Sequence, residues 1–363
     1  MAISTQTLPE AQPAPKSSPW KVVDKTMLAQ QLGVHLGTPL LASLITVNTG
    51  ISGYSGFLVL WLPLHILTAA LLGRFGKRER TFADSTFEVL TIASLIVFGL
   101  FIGSVLIPIF QQGIEAFQGK NGFNWNLLFE DSKNTGIDTK LSKGGLSHAI
   151  LGSALMVGLA TAISLPIGIL AALYVTEVRG KLTPFVRFFV QAMSGVPSII
   201  AGLFIYAALI ISGIITYSGF AGALALSILM LPTIARTAEE ILRLIPDDLR
   251  TAALALGGTQ WRVVRMVVLP AARGGLVTAT ILGIARVAGE TAPLLLTAFG
   301  NREVNLNPFE GPIASLPVYV FQQMLLGTPN DRARAWFATT VLLVLIAILF
   351  TAARAVSNRM RNV

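Results

Sequence analysis

Long apolar runs alternate along this chain with polar, turn-forming breaks. Eight runs are long enough to cross a bilayer, which takes about 17–25 residues. They fall near 34–51, 55–73, 86–111, 147–175, 185–212, 219–237, 274–298 and 335–355. Runs of that length are helical, because strands are far shorter. The first two are the weakest. Ser52-Gly53-Tyr54-Ser55-Gly56 separates them and is rich in turn formers, which predicts a tight helical hairpin in preference to one long re-entrant stretch. Residues 1–33 are polar and proline-bearing. No short apolar core with a small-residue cleavage site follows a basic start, so a cytoplasmic tail is expected and not a signal peptide.

Composition sharpens this picture. Hydrophobic residues make up 53% of the 363 positions and charged residues 12%, about half the charged share of a soluble domain. A water-facing surface cannot be built from so few charges, which sets aside a soluble enzyme, a disordered tail protein and a secreted disulfide scaffold. Cysteine is absent, which removes disulfides, thiol nucleophiles and thiolate metal sites. The formal charge of +9 would suggest nucleic acid as a partner in a soluble protein, but here it reports topology. The tail, Arg74–Arg80, Arg179–Arg187, Arg236–Arg273 and the C-terminal end hold 19 of the 27 basic residues. Lys and Arg are retained on the cytoplasmic side, so both termini are expected there. Loops 112–146 and 299–334 are then extracytoplasmic.

One internal connection is much longer than the rest, residues 239–272. Pro246 is placed to start a helix, with Asp247 and Asp248 in the first turn complementing its dipole. Leu249, Ala253 and Leu256 form an apolar stripe at i, i+4, i+7. Gly257-Gly258 supplies the left-handed stop. A second short helix follows, with Trp261, Val264 and Val268 on one side and Arg262 and Arg265 on another, ending at Leu269-Pro270. Such a unit suits capture by a soluble partner; spacing alone also fits two helices resting on anionic lipid.

At these residues the chain resembles the permeases of binding-protein-dependent ABC importers. Their coupling loop reads Glu-Ala-Ala, three residues, Gly, nine residues, Ile-x-Leu-Pro. Ala252, Ala253, Gly257, Val267 and Leu269-Pro270 fall on it without a gap, with Thr251 in place of Glu. Gly195-Val196-Pro197-Ser198 through Phe204, and Leu231-Pro232-Thr233 through Glu240, are similar to stretches of phosphate-specific permeases. Ile284-Ala285-Arg286-Val287-Ala288-Gly289-Glu290-Thr291-Ala292-Pro293-Leu294-Leu295 resembles the signature of the A-type subunit family, PstA. The resemblance covers about 86–357. It implies an all-α polytopic protein with a six-helix type I (MetI-like) core. The stretch 34–85, a hairpin and a basic cytoplasmic loop, is an addition that brings the total to about eight transmembrane helices. The implied partners are two copies of an ATP-binding subunit, a second related permease (PstC-like) and an extracytoplasmic phosphate-binding protein, in the bacterial inner membrane. The implied ATPase-coupling residues are Asp248, Leu249, Thr251, Ala252, Ala253, Leu256 and Gly257.

Arg286 and Glu290 are charges within an apolar run, each costing a few kcal/mol or more in lipid. Four residues apart on a continuous helix, they share a face. One reading is a mutual salt bridge that makes the helix tolerable. The other is a substrate path: Arg286 offers its planar fork to phosphate oxygens, and Glu290 holds it in position or accepts a hydrogen bond from the proton of hydrogen phosphate, which sulfate lacks. Thr291 either lines this path or bonds back to its own helix. Pro293 is expected to kink the helix beside Glu290, and Pro166, Pro197 and Pro232 to bend others. Gly195 and Ser198 are expected to let helices approach closely.

His35, His65 and His148 are isolated, without metal-ligand spacing, and read as structural. No Gly-x-x-x-x-Gly-Lys-Ser/Thr segment is present, so ATP and Mg2+ are assigned to a partner ATPase and no cofactor to this chain. No catalytic constellation is evident, and the chain reads as a non-enzymatic membrane subunit. A permease for another oxyanion, such as sulfate or molybdate, is the nearest rival. An ion-coupled secondary transporter is a more distant one, and would need no gripping loop.

Overall fold

The structure is a computed structural model that describes residues 25–49, 54–75, 82–119 and 122–361. Most of the expected tail, Ser52 and Gly53 of the expected turn, and residues 76–81 of the basic loop lie outside the described residues. The elements in chain order are α1 (Lys25–Thr49), α2 (Tyr54–Phe75), α3 (Phe82–Phe117), strands β1 (Gln118–Gly119) and β2 (Gly122–Phe123), α4 (Asn126–Phe129), α5 (Ser147–Leu173), α6 (Thr183–Ser194), α7 (Ser198–Ile205), α8 (Gly219–Arg243), α9 (Asp247–Ala255), α10 (Gln260–Val263), α11 (Leu269–Ala288), α12 (Ala292–Thr297), α13 (Leu316–Leu326) and α14 (Pro329–Arg361).

Helices stand at all eight predicted runs. Five stretches among the described residues are long and apolar enough to cross a membrane: Leu90–Phe117, Ser147–Val178, Gly219–Arg243, Gln260–Ala288 and Pro329–Thr351. The run predicted as one span over 185–212 is broken instead. α6 and the helix continuing from α7 meet at a 105° bend, with Pro197 as the extended residue before α7. Counted as one broken span, the pair brings the candidate crossings among the described residues to six.

The residues up to Val105 and those from Leu106 onward form two compact units. In the first, α1 and α2 pack through Ala42 and the buried Trp61, with Ile96 of α3 against them. Trp61 stacks on Phe57, and the buried His65 ring is hydrogen-bonded to Thr38 across the helix pair. A structural role for His65 follows directly.

In the second unit α8 is the central helix. Two thirds of its most apolar window is buried, 67%, against 22% for the span built on α5. Small residues line it, and Met156 of α5, Leu226, Met230 and Ile234 of α8, Val287 of α11 and Leu294 of α12 fill the middle. Leu173, Leu242, Val264, Val268 and Ala272 form a second cluster at the end rich in arginine. A third, at the opposite end, joins Leu127, Leu146, Leu316, Tyr319 and Phe337. There the buried Arg334 of α14 donates to the carbonyls of Thr139, Lys140 and Lys143. The polar loop 130–146 is thereby tied to the start of α14.

Two predictions about helix ends are corrected. The second helix of the long insert does not stop at Leu269-Pro270. α10 passes through a π-helical turn, Val264–Val268, directly into α11, so the helix that carries this apolar run starts at Gln260 and not at 274. The wider turn accommodates Pro270, whose ring and missing N–H would disrupt a regular helix. At its far end the helix stops at Ala288, and α12 begins only at Ala292.

Candidate functional site

The arginine-rich end of the second unit carries the α9–α10 knob. Pro246 immediately precedes α9 and Asp247 and Asp248 occupy its first turn, as local chemistry dictates. The stop is a Schellman closure: Gly257 donates to Leu254 O at 2.9 Å and Gly258 to Ala253 O at 3.2 Å, with Gly257 at φ +83°. Only glycine adopts that conformation without strain. Thr259 then caps α10, accepting from the Arg262 amide.

No residue of α9 is buried. Leu249, Leu254, Leu256 and Trp261 present their apolar surfaces outward, Leu256 being 90% exposed. The predicted stripe of Leu249, Ala253 and Leu256 is therefore divided, because Ala253 turns in against the core. Trp261 likewise points out while Val264 and Val268 point in. Ala252 and Thr251 are exposed, and the Thr251 hydroxyl is spent on Asp247 O at 3.1 Å within its own helix.

What fastens the knob is a charge pair that sequence reading missed. Glu177 lies in the π-helical turn Tyr174–Val178 that ends α5. Its carboxylate receives Arg250 from α9 at 2.9 and 3.1 Å. The same guanidinium donates to Leu242 O, Ile245 O and Asp247 Oδ1, and Gln260 donates to the Glu177 backbone carbonyl. The carboxylate hydrogen bond raises the Arg250 pKa further above its ordinary high value. A charged residue at the end of an apolar run was the available signal; its partner, 73 positions away, was not.

Arg286 occupies the last turn of α11, where a cation complements the helix dipole. Its Nη1 donates to Thr233 Oγ1 of α8 at 3.0 Å. No ion pair joins it to Glu290 among the described residues, which corrects the shared-face reading: the helix ends at Ala288, and Gly289, Glu290 and Thr291 form the break before α12. Glu290 and Thr291 are half-buried and Arg286 is exposed. The Thr291 side chain makes no cap bond. Pro293 does not kink a helix but sits in the first turn of α12, where its missing N–H costs nothing.

Gly195 lies exposed in the break between α6 and α7, and a Cβ there would meet only Ala192 O of its own turn at 3.6 Å. The close helix approach occurs instead at Gly202 of α7, where a Cβ would lie 2.6 Å from Pro293 Cα. Pro232 is buried within an unbroken α8, and Ser198 opens α7.

Residues 164–362 match the family described as binding-protein-dependent transport system inner membrane component. The phosphate transport system permease protein PstA of Pasteurella multocida is 38% identical over 270 residues, covering 73% of this chain and 92% of that protein. The PstA of Haemophilus influenzae is 44% identical over 58% of this chain and 75% of its own length. Among solved structures, a bacterial ABC transporter involved in the import of the acidic polysaccharide alginate aligns with a TM-score of 0.56 at 16% identity, over 76% of this chain and 96% of that one. That likeness concerns the fold. The family match, the PstA relatives and the apolar spans agree: this chain is a multi-pass membrane protein of the binding-protein-dependent transport system inner membrane component family and belongs with its PstA permeases.

Proposed function

We propose that the chain is the membrane-embedded A-type subunit of an ATP-driven importer that carries inorganic phosphate into the cytoplasm. It pairs with a second, related permease, rests on two copies of an ATP-binding subunit, and receives phosphate from an extracytoplasmic binding protein. ATP and Mg2+ belong to the ATP-binding subunits, and this chain performs no covalent chemistry. Both termini and the α9–α10 knob face the cytoplasm. The six-helix core is 86–357, and the hairpin and basic loop of 34–85 are an addition to it.

The single observation that carries this reading is the folded knob that shows apolar side chains to water. Leu249, Leu254, Leu256 and Trp261 cost solvation free energy wherever they are uncovered, and Gly257-Gly258 fixes them on one rigid projection. Asp248, Leu249, Thr251, Ala252, Ala253, Leu256 and Gly257 form the coupling segment. ATP-driven closure of the two ATPases moves this segment, and Arg250 passes the movement through Glu177 to α5. Arg286, held by Thr233, presents its free N–H groups to phosphate oxygens. Glu290 and Thr291, released from regular helix, line the same path. Glu290 accepts a hydrogen bond from the O–H of hydrogen phosphate.

The test is radiolabelled phosphate uptake into proteoliposomes holding this chain with its ATPase and permease partners. Uptake is expected with ATP and the binding protein, and not without either. ATP-independent uptake driven by an ion gradient would overturn the reading in favour of a secondary transporter. Equal uptake of sulfate would overturn the substrate.

A further inference from the structure

The end of the second unit opposite the knob holds a polar cavity of about 640 Å3 that the transport path through Arg286 does not use. The start of α5, the segment after α12, α13 and the start of α14 enclose it. His148, Tyr319 and Gln323 line it, together with Lys133, Arg302 and Arg334.

Burial and hydrogen bonding disagree at this place. His148 is 3% exposed and Tyr319 4%, and their rings meet edge to face at 5.4 Å, which fixes both heads. Yet His148 Nδ1, Tyr319 Oη and Gln323 Oε1 have no hydrogen-bond partner. Ser132 and Arg334 lie near the Tyr319 hydroxyl without closing a bond of normal geometry. Five buried side-chain atoms are unpartnered among the described residues, and three of them border this one cavity. Buried polar atoms are almost always satisfied in folded proteins. Three such atoms facing one space make it suited to a polar guest that can pair with all of them.

The charges identify its class. Asp331 is engaged with the Asp138 amide and the Thr328 hydroxyl, and Glu303 is paired with Lys133 at 3.0 Å. Arg334 spends its N–H groups on loop carbonyls, and no carboxylate forms an ion pair with it among the described residues. Arg302 gives one N–H to Thr135 O and keeps others free. The lining is thus positive in balance, with Tyr319 and Arg302 as donors. Gln323 Oε1 serves as an acceptor, and His148 Nδ1 takes either role according to its tautomer. A protonated oxyanion matches that set: its oxygens accept from Tyr319 and Arg302, and its O–H donates to Gln323 or His148.

We propose that this cavity is a second, outer binding site for hydrogen phosphate, which holds the ion before it reaches Arg286. The proposal rests on the importer reading for its substrate and orientation. The volume exceeds one oxyanion, so the ion enters with part of its water.

The experiment uses the complete complex in nanodiscs, without ATP or binding protein, and inorganic phosphate as the probe. An Arg286→Ala background removes the membrane-level path. Equilibrium dialysis is expected to find saturable phosphate binding that persists in this background and weakens about tenfold on adding Tyr319→Phe or Gln323→Leu, the effect of one hydrogen bond to a charged group. Phosphate, and not sulfate, is expected to raise the melting temperature of the Arg286→Ala complex, and Tyr319→Phe to abolish that rise. Binding unchanged by both variants, or an equal response to sulfate, would overturn the site. So would a Tyr319→Phe complex that is simply more stable, with no phosphate response in its parent, since an orphan hydroxyl without a ligand is better removed. Failure of ATP-driven uptake by the unaltered complex would refute the importer reading separately, and these binding measurements do not depend on it.

Discussion

Arg250 grips Glu177 with two prongs, Nη2 to Oε1 at 2.9 Å and Nε to Oε2 at 3.1 Å, and so ties the exposed helix α9 to the turn that ends α5. The side chains are 13% and 6% exposed, which shields the pair from solvent screening. Because α9 buries no residue of its own, this pair and the inward Ala253 decide whether displacement of the knob moves the body or merely bends a loop.

Arg250→Ala leaves the Glu177 carboxylate buried and unpaired. The expected loss is about 3 kcal/mol, at the low end for broken buried pairs, read as a lowered midpoint in thermal or denaturant unfolding. The sharper readout is coupling: phosphate moved per ATP hydrolysed should fall more than tenfold while the ATPase still co-purifies. Arg250→Lys should recover only part of it, since an ammonium cannot span both oxygens. Transport and hydrolysis falling in parallel would count against a transmitting role.

Leu256→Asp acts on a side chain that supports nothing within the chain. Its effect on stability should stay within about 0.5 kcal/mol, while co-elution with the ATP-binding subunit should be lost. Gly257→Val differs, because a β-branched residue at φ +83° is strained by about 1–2 kcal/mol and the knob changes shape.

Gly202→Ala and Gly195→Ala separate two glycines of one segment. At Gly202 the new methyl meets Pro293 backbone at 2.6 Å, so about 1–3 kcal/mol of overpacking is expected, together with displacement of Thr291. At Gly195 the nearest atom is 3.6 Å away, and unfolding midpoint and uptake should both be unchanged.

Thr233→Val removes the hydroxyl that receives Arg286. One hydrogen bond to a charged group is lost, and KM for phosphate uptake is expected to rise about tenfold. Glu290→Gln leaves that arrangement intact and should instead narrow the preference for phosphate over sulfate in competition assays. A Glu290→Gln complex with unaltered preference would remove the role as acceptor of the phosphate O–H.

What the sequence made legible was local. Pro246, the paired aspartates and Gly257-Gly258 specify the start and stop of α9 through contacts within a few residues, and the structure follows them. The path residues failed where continuity was assumed. A helix drawn unbroken through Gly289 placed Arg286 and Glu290 on one face, although Thr291-Ala292-Pro293 carries the marks of a fresh helix start, a capping residue type with proline just inside. The Arg250–Glu177 and Arg286–Thr233 pairings join residues 73 and 53 positions apart, and hydrophobic period says nothing about which polar atoms meet. The π-helical turn before Pro270 escaped for a related reason, since one extra residue per turn leaves no periodic trace in so short a stretch.

The doubled amide closure at Gly257 and Gly258 has a thermodynamic corollary. A handle that is already rigid surrenders little conformational freedom when it is seized, so the free energy of docking is available for motion and not consumed in ordering a loop. Recognition at this end of the protein is then lock-like: variants that loosen the closure should weaken capture through entropy, with every touching side chain still in place.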